Sequence, residues 1–241
     1  YKQARLKKRE KTMFHTKKIL VLITFAVLAC FGWGAAELIA AEKKYIILID
    51  PAHGGKDRGL KLNDDVSEKD VTLAVALQIK KELAQEPNLQ IILTRETDKT
   101  LDREARQKMI KTLNPDMVLN LHVNGGFGKE ASGYEIYYPS CGADDPASMR
   151  KTDKTKPQSQ CQNNSLKMAK LISDNFNALF PRKARGLRMA DLSVTEGVLV
   201  PAVAVEMGFA TNAVDQKNLM SKKTQAEMGK ALAVSIKAFS R

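Results

Sequence analysis

At 241 residues, 44% of them hydrophobic and 27% charged, the chain has ordinary globular composition with room for one good core. Its formal net charge of +12 suits an anionic polymer or a membrane surface, or equally a scatter of lysines over solvated helix faces. No nucleic-acid motif accompanies that charge, so nucleic acid is excluded as a partner, and neither an internal repeat nor a second domain is legible.

Residues 1–41 stand apart from the core. Residues 1–18 are basic and polar, and 19–36 form an uncharged apolar run ending in Gly32-Trp33-Gly34-Ala35-Ala36. This pattern predicts an export signal cleaved after Ala36, with Met13 opening its compact form; the alternative is an uncleaved anchor that just spans a bilayer. Cys30 after Val27-Leu28-Ala29 is a weak match to a lipoprotein signal. The segment holds eight Lys/Arg against two Asp/Glu, which assigns +6 to it and +6 to the domain at 44–241. The protein is therefore expected in the periplasm or cell envelope, touching the membrane only through this segment.

Tyr45-Ile46-Ile47-Leu48-Ile49 reads as a buried strand, stopped by Pro51 and Gly54-Gly55, with His53 left at its tip. After a polar loop, the stretch from Glu68 to Leu83 predicts a helix buried over a wide face, with Ser67 as its N-cap and Glu68 in its first turn. Leu89 to Thr94 predicts a strand and Leu101 to Leu113 a charge-rich helix. Asp116 to His122 predicts a third strand, again closing on a histidine, before Asn124-Gly125-Gly126. Gly133 to Tyr138 alternates in character and is expected at an exposed edge. Residues 139–162 lose periodicity and read as a surface insertion carrying Cys141 and Cys161, which are a candidate disulfide in an exported protein or else two free thiols. A helix from Ser165 to Phe180, an irregular run through Gly186 and Gly197, a buried strand from Val200 to Glu206, a cap at Thr211-Asn212 and a closing helix from Lys222 to Phe239 complete the chain. Strands alternating with long helices predict an α/β fold: a single domain built on a mostly parallel twisted sheet, with helices on both faces.

Three separated elements thus deliver His53, His122 and Glu206 to one sheet edge, with Glu68 at a helix start beside it. Two histidines and a carboxylate form a common catalytic zinc set that leaves a fourth position for water. Taken singly, each has an ordinary explanation: a turn or capping role for either histidine, dipole stabilisation for Glu68, and a salt bridge for Glu206.

These residues resemble the zinc-dependent N-acetylmuramoyl-L-alanine amidases, which hydrolyse peptidoglycan. The resemblance runs from about Lys44 to Phe239. Asp50-Pro51-Ala52-His53-Gly54-Gly55-Lys56-Asp57 is similar to the family's first motif, with Ala52 where Gly is usual. Glu68-Lys69-Asp70-Val71 matches the start of its first helix. Asn120-Leu121-His122-Val123-Asn124 is similar to its second histidine motif, with Asn120 for Ser. The stretch from Pro201 to Asn212 is similar to its last and most specific motif. Ile110-Lys111 stands where the family has Ala-Asn.

The resemblance implies that His53, Glu68 and His122 bind Zn2+ and that Glu206 is catalytic. In that reading zinc-activated water cleaves the amide between N-acetylmuramic acid and L-alanine, and Glu206 handles the proton. Asn124 is a candidate for orienting substrate, and Glu135 is the competing general base, although a place on a solvated strand face is the role expected of it. Peptidoglycan is the expected partner and the protein is expected to act as a monomer. A protein activator is a further expectation, because some relatives carry an inserted helix over the zinc, a role open to 139–162. The rivals are a zinc peptidase acting on the stem peptide and a non-catalytic wall-binding module.

Overall fold

The computed structural model describes residues 44–141, 157–180 and 183–241. The expected export signal and the middle of the insertion, 142–156, lie outside the described residues. Among the described residues no helix is long and apolar enough to cross a membrane.

Among the described residues six strands and five α-helices follow one another as β1 (Tyr45–Pro51), α1 (Glu68–Glu82), β2 (Leu89–Leu93), α2 (Arg103–Leu113), β3 (Met117–Asn124), β4 (Tyr134–Tyr138), α3 (Pro157–Leu179), β5 (Ala184–Met189), β6 (Ala202–Phe209), α4 (Ala213–Met220) and α5 (Lys222–Phe239). The strands form one sheet in the order β2-β1-β3-β6-β4-β5. All its pairings are parallel except β4 with β6. Ser67 caps α1, with Asp70 Oδ2 accepting from the Ser67 N–H at 2.9 Å. Asn212 caps α4 by accepting from Val214 and Asp215 N–H. Each cap offsets donors that a helix start leaves unpaired.

The inner strands are apolar almost throughout because both their faces are covered. On one face Ile47, Ile49, Leu119, Leu121, Val203 and Val205 pack with Val75 and Ile79 of α1, Ile172 and Phe176 of α3, and Leu232 and Ile236 of α5. On the other, Leu48, Val118 and Ala202 pack with Ile110 of α2 and with Val194 and Val200. Ile110 is fully buried there, so the departure from the family pair at 110–111 is absorbed as core. From β1 the chain crosses to β2 on one side and returns to β3 on the other, and α1 and α2 accordingly lie on opposite faces. That reversal makes the carboxyl ends of β1 and β3 the switch point of the sheet, where ligand sites of open α/β sheets form.

Three expectations need correction. β4 is not an edge strand: it lies between β6 and β5, and its Glu135 joins the row of charged side chains described below. The irregular run through Gly186 contains β5, which takes the edge and is exposed along most of its length, hence without apolar alternation. The helix expected from Ser165 starts at Pro157. Its extra turns carry few apolar side chains, and buried Cys161 in them is bonded to Cys141, with the two Cα atoms 6.0 Å apart.

Candidate active site

Along a strand successive side chains alternate between faces. Since Leu119, Leu121, Val203 and Val205 face α1, α3 and α5, His122 and Glu206 face the other way. They are register partners on adjacent parallel strands, and Glu206 is in turn opposite Glu135 on β4. The carboxyl edge therefore presents His122, Glu206 and Glu135 in one row.

His53 joins that row from the turn after β1. Its backbone is left-handed, with φ 61°, a conformation that costs a non-glycine residue of order 1–3 kcal/mol and persists only where the surroundings impose it. Here two buried arginines impose it. Arg106 donates to the His53 carbonyl at 2.8 Å and pairs with the buried Asp50 carboxylate. Arg95 donates to the carbonyls of Pro51 at 3.0 Å and Ala52 at 2.9 Å. Ala52 itself is buried, and its N–H donates to Leu121 O at 3.1 Å, tying the turn to β3. Asp57 Oδ2 lies 2.8 Å from His53 Nδ1 and orients the ring, leaving Nε2 to face Glu68 at 3.1 Å.

Glu68 is buried at the start of α1 and is held from four sides. Its Oε1 accepts from the Val123 N–H at 3.0 Å and meets His122 Nδ1 at 3.1 Å; its Oε2 accepts from the Leu60 N–H at 3.0 Å and meets His53 Nε2. Burial alone would raise its pKa, but the hydrogen bonds from His122, His53 and the two N–H groups outweigh it and hold the carboxyl well below the usual range. The Glu68 bond carries His53 the other way, to about 9, against the opposing effect of burial. Gly59 lets the loop pass close: a Cβ there would lie 2.6 Å from both Glu68 Oε2 and His53 Cδ2, and its φ is 62°.

Donor atoms of His53, Glu68 and His122 all lie within 4.8 Å of one another. Two imidazoles and an ionised carboxylate converging this closely fit a divalent cation of borderline softness such as zinc, which could take all three and keep an open position. Glu206 stands beside them. Burial, reinforced by the negative charges of Glu68 and Glu135, pushes its pKa up to about 7, and its buried Oε2 has no hydrogen-bond donor among the described residues. An orphaned carboxylate oxygen beside a cation-ready cluster is the feature a structural salt bridge would lack. Asn120 Oδ1 is likewise without a donor among the described residues; nothing in the structure explains that substitution for serine.

The remaining candidates separate clearly. Glu135 accepts from Arg185 Nε at 2.8 Å, Tyr137 Oη at 2.7 Å and Asn124 Nδ2 at 2.9 Å, and Arg188 lies 3.4 Å away. Burial opposes ionisation, yet Arg185, Tyr137 and Arg188 hold its pKa below the ordinary value. Asn124 thus faces Glu135 rather than the three convergent donors. Asp57, Arg95, Arg106 and Gly59 were not singled out from sequence. Asp57 falls inside the quoted first motif, whereas a buried arginine carries no sequence mark that separates it from a surface one.

Comparison with known proteins bears on the family and the fold. Residues 47–238 match the family model described as N-acetylmuramoyl-L-alanine amidase. The amidase CwlM of Bacillus licheniformis is 30% identical over 177 residues, 73% of this chain and 60% of that protein. The amidase AmiC of Escherichia coli O6:H1 is 22% identical over 222 residues, 82% of this chain and 53% of that protein. The chain thus spans between half and two-thirds of the length of these two relatives. The solved catalytic domain of the amidase CwlV from Bacillus (Paenibacillus) polymyxa superposes with a TM-score of 0.66 at 26% identity, covering 81% of this chain and 97% of that one. With a family match spanning nearly all of the described domain and the same fold in a solved catalytic domain, this chain belongs to the N-acetylmuramoyl-L-alanine amidase family.

Proposed function

We propose that the domain hydrolyses the amide between N-acetylmuramic acid and the L-alanine of the peptidoglycan stem peptide, with His53, Glu68 and His122 holding zinc. The observation that carries this reading is the placement of a proton-poised, partnerless Glu206 carboxylate next to three convergent ligand atoms. Zinc, when bound, supplies Lewis acidity, polarising the scissile carbonyl and lowering the pKa of a water molecule towards ~7.

The chain's own residues do the rest. Glu206 Oε2, which makes no hydrogen bond among the described residues, accepts the proton of the attacking water and returns it to the departing alanine nitrogen, a transfer favoured by a carboxyl that burial raises towards neutrality. Glu135 does not compete for this step, because its oxygens are already committed to Arg185, Tyr137 and Asn124. Asn124 enters by fixing Glu135 in place. Arg106 and Arg95 hold the His53 turn in the conformation that aims its ring at Glu68.

Chelation tests the metal assignment. EDTA should abolish release of soluble fragments from purified peptidoglycan and added zinc should restore it; a preparation that is indifferent to both contradicts the ligand set. Zinc uptake should also be coupled to protons. Because His53 keeps its proton to about pH 9 in the metal-free protein, binding at pH 7 should release that proton, and a fraction more from Glu206 as its carboxyl is pulled below about 7. Calorimetric titration in buffers of different ionisation enthalpy measures this directly. Apparent affinity should rise with pH up to about 9 and no further on this account. The sign for the metal-free fold is opposite: a raised histidine pKa stabilises it fully below the ordinary value of 6.5, and that contribution is lost as pH rises through about 9.

An envelope location follows from this polymer substrate, and the basic, apolar residues 1–36 are the proposed means of reaching it.

A further inference from the structure

The row of charged side chains does not stop at Glu206. His122 on β3 is opposite Glu206 on β6, Glu206 is opposite Glu135 on β4, and Glu135 is bonded to Arg185 on the edge strand β5. Four adjacent strands thus carry one line of polar groups from the candidate metal ligands to the sheet edge, and its outer end is cationic.

That cationic end is built by an irregularity in β5. Residues 185 and 188 are three apart, so in a regular strand their side chains would project from opposite faces. The register between β4 and β5 shifts between Tyr134 and Ile136, where Tyr134 is opposite Ala184 but Ile136 is opposite Leu187. One extra residue is accommodated there, with Gly186 at φ 101°. A bulge of this kind inverts the alternation beyond it and re-aims the following side chain. Arg188 becomes the partner of Tyr137, and both guanidiniums reach the same Glu135 Oε1, at 2.8 and 3.4 Å. Arg185 also lies over the Phe209 ring, 5.1 Å from its centroid, a cation–π contact that helps to hold it.

The charge balance is uneven. One buried carboxylate, Glu135, faces two guanidiniums whose side chains remain 38% and 53% exposed. Each arginine has five N–H donors in a planar fork, and Glu135 takes only part of that capacity. A net positive charge with unused, partly exposed donors is left around Glu135, the cross-strand partner of Glu206.

On the proposed function, the two sides of the scissile bond differ in charge. The lactyl carboxyl of the sugar is consumed in the amide, and the N-acetylated sugar is neutral, whereas a stem peptide carries free carboxylates. We propose that Arg185 and Arg188 form a subsite for a carboxylate of the stem peptide, with Glu135, held by Tyr137 and Asn124, as the fixed counter-charge that positions them. The subsite selects substrates whose stem is acidic and discriminates against stems whose carboxyls are amidated. This inference rests on the amidase reading of the site.

The test uses two soluble muramyl peptides of one sequence, the first with free stem carboxyls and the second with those carboxyls amidated, each assayed with the zinc-loaded full-length protein. Wild type should favour the acidic substrate by about tenfold in kcat/KM, expressed mainly in KM, since the contact is made equally in ground and transition states. Arg188→Gln and Arg185→Gln should each bring the ratio of acidic to amidated substrate towards one, and Arg188→Lys should retain part of it. Arg188 is exposed on an edge strand, so its variants are the ones that keep the fold, and the wild-type comparison needs no variant at all. A wild-type protein that cuts both substrates at equal efficiency overturns this inference and leaves the amidase reading intact. A protein inert on both overturns the amidase reading and the subsite with it.

Discussion

Glu206→Gln should lower hydrolysis of peptidoglycan by about 10²–10⁴-fold while leaving zinc content and melting temperature close to wild type. Glutamine preserves the volume and the cross-strand position opposite His122 and Glu135 but cannot accept a proton from water. Fold and metal should be insensitive because Glu206 Oε2 makes no hydrogen bond among the described residues, so placing the amide NH2 there takes an acceptor from no described donor. The loss should appear in kcat, since the proton is in flight only in the transition state. The pH profile adds a second signature. Burial raises the carboxyl to about 7, and a cation held at the neighbouring ligands pulls it below that value. Wild-type activity should therefore fall on acidification at or below pH 7, and the residual activity of Glu206→Gln should lack this limb. Full activity in the variant would move the base elsewhere.

Arg106→Ala should be the most destabilising change outside the three proposed ligands, by about 3–5 kcal/mol, because it leaves a buried charge without its partner. Asp50 is almost fully buried on β1, where Arg106 pairs with it and Thr94 donates to it at 2.6 Å. The same guanidinium holds the His53 carbonyl, so the variant should also bind zinc about 10–100-fold more weakly through a loosened turn. Asp50→Asn in the Arg106→Ala background removes the orphaned charge. It should recover part of the stability without restoring zinc affinity, since the His53 carbonyl still lacks its donor. Urea denaturation measures the first effect and competition with a chromophoric chelator the second. Equal recovery of both would mean that Arg106 acts on the site only through global stability.

The contrast between these two residues shows what the sequence could convey. Glu206 announces itself because it ends an apolar strand, Val203-Ala204-Val205, where an acid is out of place. His53 and His122 likewise close buried runs, and the strands that carry them are legible since cover on both faces demands continuous apolar residues. Arg95 and Arg106 are equally central, yet an arginine in a charge-rich helix or after a strand reads as solvated; only the tertiary fold shows that both turn inward to carbonyls of the His53 turn. β5 was illegible for the converse reason. Its residues are exposed and its bulge at Gly186 breaks the alternation by which a strand is recognised. Missing β5 also misplaced β4 at the edge, and with it the role of Glu135. As one carboxylate on an alternating strand it competes with Glu206 for the proton, but with Arg185, Tyr137 and Asn124 around it the competition ends. Gly59 gave no signal either, because the space it leaves is filled by Glu68 and His53 from elsewhere in the chain.

The bond that is cut decides the central claim, and mass spectrometry of purified peptidoglycan digested by the zinc-loaded protein reads it directly. The amidase account predicts intact stem peptides with a free L-alanine N-terminus and glycan strands bearing unsubstituted lactyl carboxylates. Truncated stem peptides still attached to muramic acid would show a peptidase built on the same three ligands and would contradict it.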